Sequence, residues 1–255
     1  MDSSLLRVLA DINLAATVDE SMALECIARL DRAIVVAGPA GEGRLELLLD
    51  MIGKLQAACS PTITTVVDAV PTPMSLTESS PLLAASGRVL CLDIAPSLSS
   101  FVNGLCQRPF VLRGYACDWP ALHERPWSSF QYLRSAVGPG RVVPVEVGSD
   151  YRSDDWSQTF MAWDDFLAYL DHSNASPPAN VVYLAQHSLL TQFPALRRDL
   201  VVPDYVYASP NPPSDFPDYE PPGNEEQLVT NIWLGPKGTI SPAHTVRRIY
   251  SSEIC

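Results

Sequence analysis

The chain has 255 residues, of which 47% are hydrophobic and 18% charged, with 17 Lys and Arg set against 29 Asp and Glu. Such a composition builds one large or two small folded domains rather than a disordered chain. The formal charge of −12 leaves no basic stripe for nucleic acid and opposes docking on anionic lipid. In chain order, the first predicted helix carries Leu5, Val8, Leu9 and Ile12 at helical spacing. Thr17 followed by Glu20 fits a capping box for a second helix with Ala23, Cys26, Ile27, Leu30 and Ile34 on one face, stopped at Gly38-Pro39. A third helix places Leu45, Leu48, Leu49, Ile52 and Leu55 on one stripe. Residues 1–59 are therefore expected to form a small helical region.

Residues 60–86 carry Pro61, Pro71, Pro73 and Pro81 among Ser and Thr with few charges, a linker composition that sets the domain boundary there. The apolar stretch 63–67 allows a short strand, but none is expected there. From 87 onward the pattern is mixed. Strands are expected at 88–94, 109–112, 141–147, 180–184 and 228–235, and helices at 97–107, 127–136 and 161–172. Residues 207–226 read as an acidic loop with six prolines, able to steer a basic peptide.

The longest apolar runs, 33–37 and 47–49, fall far short of the roughly 20 residues of a spanning helix. With Asp2 at the start and no basic stretch leading into an apolar one, no secretory signal is expected. Six widely spaced cysteines form no CxxC pair, which points to reduced thiols, mostly serving as small buried apolar groups, and to an intracellular setting, nuclear or cytoplasmic. No Gly-Lys-Ser/Thr phosphate loop and no GxSxG nucleophile elbow occurs.

Seven segments in order, 108–114 (RPFVLRG), 118–121 (DWPA), 143–149 (VPVEVGS), 156–159 (WSQT), 183–187 (YLAQH), 231–236 (NIWLGP) and 238–244 (GTISPAH), resemble the front half of a JmjC domain. The likeness is to the subfamily described both as lysine demethylase and as arginyl hydroxylase. It implies an α+β protein, with the helical region followed by an incomplete cupin-like double-stranded β-helix over 87–255. It also implies a dioxygenase, an oxidoreductase that uses Fe(II) and 2-oxoglutarate on Arg or Lys side chains of a basic protein or peptide. Such chemistry needs two His and one carboxylate on one face of the iron. The resemblance assigns His244 to the metal, Tyr183 and Ser241 to the cosubstrate, and Glu146, Tyr151 and Trp233 to the substrate. A carboxylate flanked by aromatics suits a guanidinium. For His187 the resemblance allows a pocket role, while the residue pattern favours a surface or hydrogen-bonded core role for His123, His172 and His187 alike.

The HxD motif fails after its first residue, because Val246 stands in the Asp position and an isopropyl group binds no iron. Family likeness ends near 244 and the tail 245–255 reads as unrelated. The expected cause is a retained intron or a mispredicted exon end; a truncated isoform and a pseudoenzyme are the rivals. The chain as written is expected to be catalytically inactive and to expose apolar surface in its C-terminal half. A non-catalytic protein-interaction module is the alternative function.

Overall fold

Asp19, not Thr17, caps the second helix: its carboxylate accepts a hydrogen bond from the Met22 amide at 2.8 Å. The box expected from Thr17 therefore starts two residues early, and the acid next to the first helical residue satisfies the orphan donor. The computed structural model describes residues 2–15, 17–38, 41–59, 89–148, 152, 154–175, 181–209, 212, 214–215, 217–218 and 230–241. The linker expected over 60–86, the strand reading at 63–67, most of the stretch 207–226, Tyr151, His244 and the 245–255 tail lie outside these residues.

Three helices lead: α1 (Asp2–Leu14), α2 (Glu20–Ala37) and α3 (Arg44–Ala58). Their apolar stripes meet in a core of Val8, Ala23, Cys26, Ile27, Leu30, Leu48, Ile52 and Leu55, the faces the periodicity predicts. Gly38 ends α2 with φ 65° and donates its amide to the Ile34 carbonyl at 3.0 Å, a conformation that glycine adopts without a Cβ penalty.

From residue 89 on, β1 (Leu90–Leu92) pairs in parallel with β2 (Phe110–Leu112), separated by α4 (Leu98–Val102) and a 3₁₀ turn at Leu105–Gln107. The single helix expected over 97–107 is thus broken at Asn103-Gly104, where glycine interrupts the ladder. After α5 (Phe130–Val137) come β3 (Val142–Val147), β4 (Ser157–Ala162), α6 (Trp163–Ala175), β5 (Val182–His187), α7 (Leu189–Gln192) and β6 (Ile232–Leu234). The last four strands form an antiparallel sheet in the order β4-β3-β5-β6. Strand β4 is a finding that hydropathy missed, since Ser157–Ala162 lacks apolar alternation. Its end takes Met161 and Ala162 from the helix expected to begin at 161. The fold is mixed α and β, with helices leading into part of a jelly roll.

One face of this sheet is the core. Val143 and Val145 of β3, Val182 and Leu184 of β5 and Ile232 of β6 pack on Leu133 of α5 and on Trp163, Phe166 and Leu167 of α6. Burial of each large side chain contributes roughly 1.5–3 kcal/mol. Beside this core, the Asp199 carboxylate accepts hydrogen bonds from Trp127 Nε1 at 3.0 Å and the Tyr132 hydroxyl at 2.7 Å, both on the same oxygen.

The helical region docks on the sheet through a buried ion pair. Asp31 of α2 accepts from Arg141 Nε at 2.8 Å and Nη2 at 2.7 Å, and from the Val142 amide at 2.9 Å. Arg141 also donates to the Gln192 carbonyl at 2.9 Å and lies 4.6 Å from the Phe193 ring centroid. Asp31 and Arg141 are 0% and 6% exposed. Below them, Gln56 of α3 donates to the Val137 and Pro139 carbonyls at 3.1 and 2.9 Å. At Gly140, φ +78°, an added Cβ would meet Leu24 Cδ2 at 2.8 Å. The Gly138-Pro139-Gly140 break is the seat of α2 and α3.

Candidate functional site

Opposed residues of an antiparallel pair share a face. Glu146 pairs with Gln158 of β4 on one side and with Tyr183 of β5 on the other. This row crosses the sheet face opposite the Val143–Val145 core. Trp233 lies between Ile232 and Leu234 of β6, both on the core side, so alternation places it on the Glu146 face.

Tyr183 and Ser241 come together. Their hydroxyl oxygens are 3.0 Å apart, linking β5 to the turn that follows β6. Gly235 makes room for the phenol ring: a Cβ there would meet Tyr183 Cδ2 at 2.7 Å and Thr239 Oγ1 at 2.6 Å. Thr239 closes the turn with its hydroxyl on the Pro236 carbonyl at 2.7 Å.

A β-bulge in β5 sets the neighbouring pocket. Leu184 pairs with Leu234 and His187 with Ile232, so β5 has one residue more than β6 between them. Gln186 absorbs it with φ 48°, a left-handed conformation uncommon for a non-glycine residue. The extra residue turns His187 to the side of Leu184 and Ile232. There its Nε2 donates to Gln192 Oε1 at 2.6 Å, while Gln192 Nε2 donates to the Val142 carbonyl at 2.7 Å. Burial holds the imidazole below its ordinary value of 6.5, against the opposing effects of the Gln192 hydrogen bond and the Asp31 charge. His123 and His172 hydrogen-bond to the backbone carbonyls of Cys117 and Ala168.

A cleft of about 360 Å³ opens between the end of α2 and the sheet. Glu146, Gln158 and Phe160 line it from the sheet, and Val35 and Val36 from the helix. Residue patterning pointed neither to the helical wall nor to Gln158. Sequence distance hides the first, and Gln158 becomes visible only through its register with Glu146.

Among the described residues no group of three or more His, Cys, Asp or Glu can share a metal ion. Val246 follows His244 at the carboxylate position of the HxD pattern. Among the described residues the donor set thus does not fit a two-His, one-carboxylate iron site. The Tyr183–Ser241 pair, with two adjacent hydroxyls, does fit a carboxylate oxygen. Cys26 and Cys59 are buried, as expected for small apolar thiols, but Cys91 and Cys117 are exposed. Among the described residues no helix is long and apolar enough to cross a membrane.

A model of the cupin-like domain matches residues 103–245, more than half of the chain. The chain belongs to that family, and its kinship is with JmjC proteins. It is 34% identical over 157 residues to "Lysine-specific demethylase 8" of Danio rerio, an alignment covering 62% of this chain and 34% of the relative. To "Jumonji C domain-containing protein 5" of Drosophila melanogaster it is 39% identical over 153 residues, covering 59% and 35%. To "Lysine-specific demethylase JMJ30" of Arabidopsis thaliana it is 35% identical over 136 residues, covering 53% and 28%. The chain spans about a third of the length of these curated relatives. The family match ends one residue after His244, where the motif turns to valine.

Proposed function

We propose that the sheet face carrying Glu146, Tyr183, Ser241 and Trp233 is the recognition half of a JmjC oxygenase site. In this reading Tyr183 and Ser241 bind a carboxylate of 2-oxoglutarate, and Glu146, with Tyr151 and Trp233, holds an Arg or Lys side chain of a basic protein or peptide. The observation that carries it is the 3.0 Å approach of the two hydroxyls, on residues 58 apart in the chain. Across the sheet, Glu146 pairs with the same tyrosine. An ionised carboxylate hydrogen-bonded by a guanidinium is among the stronger polar contacts available to a peptide site. In the family, Fe(II) bound through an HxD motif supplies the oxidation by which side chains are hydroxylated or demethylated, and His244 is the residue assigned to it. With Val246 at the next ligand position, residues 1–255 bind without turnover. That favours the second reading, a protein-interaction module whose partner is basic and neither nucleic acid nor membrane. The five described cysteines are unpaired, in keeping with a nuclear or cytoplasmic setting.

The test is titration of the full chain with 2-oxoglutarate and, separately, with an arginine peptide, followed by calorimetry. Loss of one hydrogen bond in Tyr183→Phe weakens 2-oxoglutarate by about two- to tenfold, and Glu146→Gln weakens the peptide alone. Equal binding by wild type and both variants, or binding of neither ligand, overturns the assignment.

A further inference from the structure

Helix α2 lies wholly outside the region that the family model matches, yet it supplies one wall of the Glu146 cleft. Two pairs of residues, each one helical turn apart, explain how. Asp31 and Val35 are spaced i, i+4, as are Arg32 and Val36, so the members of each pair project over the same strip of sheet. Asp31 is anchored by Arg141 and by the Val142 amide. Arg32 stands 5.8 Å over the Phe160 ring of β4. Four helical residues advance about 6 Å, and two strand residues about 6.6 Å. From the anchor at Val142, Val35 and Val36 line one cleft with Pro144 and Glu146.

We infer that Val35 and Val36 form an apolar subsite that selects the residue next to the basic side chain held by Glu146. This rests on the reading of Glu146 given above and extends it to a specificity determinant. The occupant is an extended basic peptide with an aliphatic residue beside its Arg. Three observations favour it. The cleft places a carboxylate within one cavity of two valines. Val36 is 78% exposed, so its isopropyl group has no covering layer among the described residues. The cleft also lies at the C-terminal end of α2, whose last turn holds no basic residue and whose carbonyls favour a cation. The chain's charge of −12 acts in the same direction.

The experiment uses the full chain and two fluorescent ten-residue peptides of Gly and Ser with one central Arg, followed in one by Leu and in the other by Gly. Anisotropy titration is expected to show about fivefold tighter binding of the Leu peptide, the worth of one or two buried methylene groups. Val36→Ser brings the ratio close to one; Val35→Ala lowers the ratio in the same sense. Because Val36 is exposed, Val36→Ser keeps the wild-type melting temperature. Glu146→Gln weakens both peptides together. A Leu/Gly ratio that survives both valine substitutions overturns the subsite while leaving the Glu146 reading intact. Failure of both peptides to bind wild type overturns both readings.

Discussion

Tyr183 and Ser241 meet hydroxyl to hydroxyl at 3.0 Å, although one sits mid-strand on β5 and the other follows the turn after β6. The contact depends on a third residue that makes no hydrogen bond in it. Gly235 lets the Tyr183 ring and Thr239 approach to distances that any Cβ would block. Gly235→Ala is expected to push the ring aside, separate the hydroxyls and cost about 1–3 kcal/mol from overpacking. A melting temperature equal to wild type, with an unchanged hydroxyl distance in a crystal structure of the variant, would sink this prediction.

The Asp31–Arg141 pair joins the helical region to the sheet. Breaking a buried pair leaves a charge without its partner, and Asp31→Ala is expected to destabilise the protein by about 3–5 kcal/mol. Replacing both partners, as Asp31→Leu with Arg141→Met, removes the charge problem and recovers much of that loss. Denaturant unfolding of the two variants separates the outcomes; a double variant no better than the single one contradicts the account.

His187 gives stability a pH dependence. Its folded value lies below the ordinary 6.5, so the unfolded chain takes up a proton first on acidification. Stability is fully present above pH 6.5 and declines as pH falls from there through the folded value. His187→Gln is expected to remove this component in urea titrations between pH 5 and pH 7.5. An unchanged pH slope in the variant would assign the effect to another group.

Tyr132 behaves in the opposite sense. Burial, then its hydrogen bond to Asp199, push the phenol up to about 12. The stability it lends is present below pH 10 and is lost as pH rises through the folded value. Tyr132→Phe leaves Trp127 as the remaining donor to that Asp199 oxygen. It is expected to cost about 1–2 kcal/mol at neutral pH. Ultraviolet titration of the phenols checks it, since a phenol ionising at about 12 disappears in the variant.

Much of this architecture is legible in the sequence, for local reasons. The helical core follows from the spacing of Ala23, Ile27, Leu30, Leu48 and Ile52, and the Val143–Val145 face follows from alternation on β3. Family likeness singled out Tyr183, Ser241, Glu146 and Trp233 one by one; that Tyr183 and Ser241 meet, and that Glu146 and Tyr183 are register partners, is the work of strand pairing. Strand β4 was not readable, because Ser157, Gln158 and Thr159 are exposed and leave no apolar period.

What the sequence determined by itself is whatever depends on neighbours in the chain: helical stripes, strand faces, the glycine stop after α2, and a valine where the family chemistry needs a carboxylate. The tertiary structure alone decided which distant groups meet. Asp31 finds Arg141 across 110 positions, and α2 becomes a wall of the Glu146 cleft. One extra residue at Gln186 reverses the side on which His187 emerges. The physical reason is that periodicity specifies which face of an element is apolar, whereas the partner of that face, and the parity of a bulged strand, are settled only when elements pack and pair.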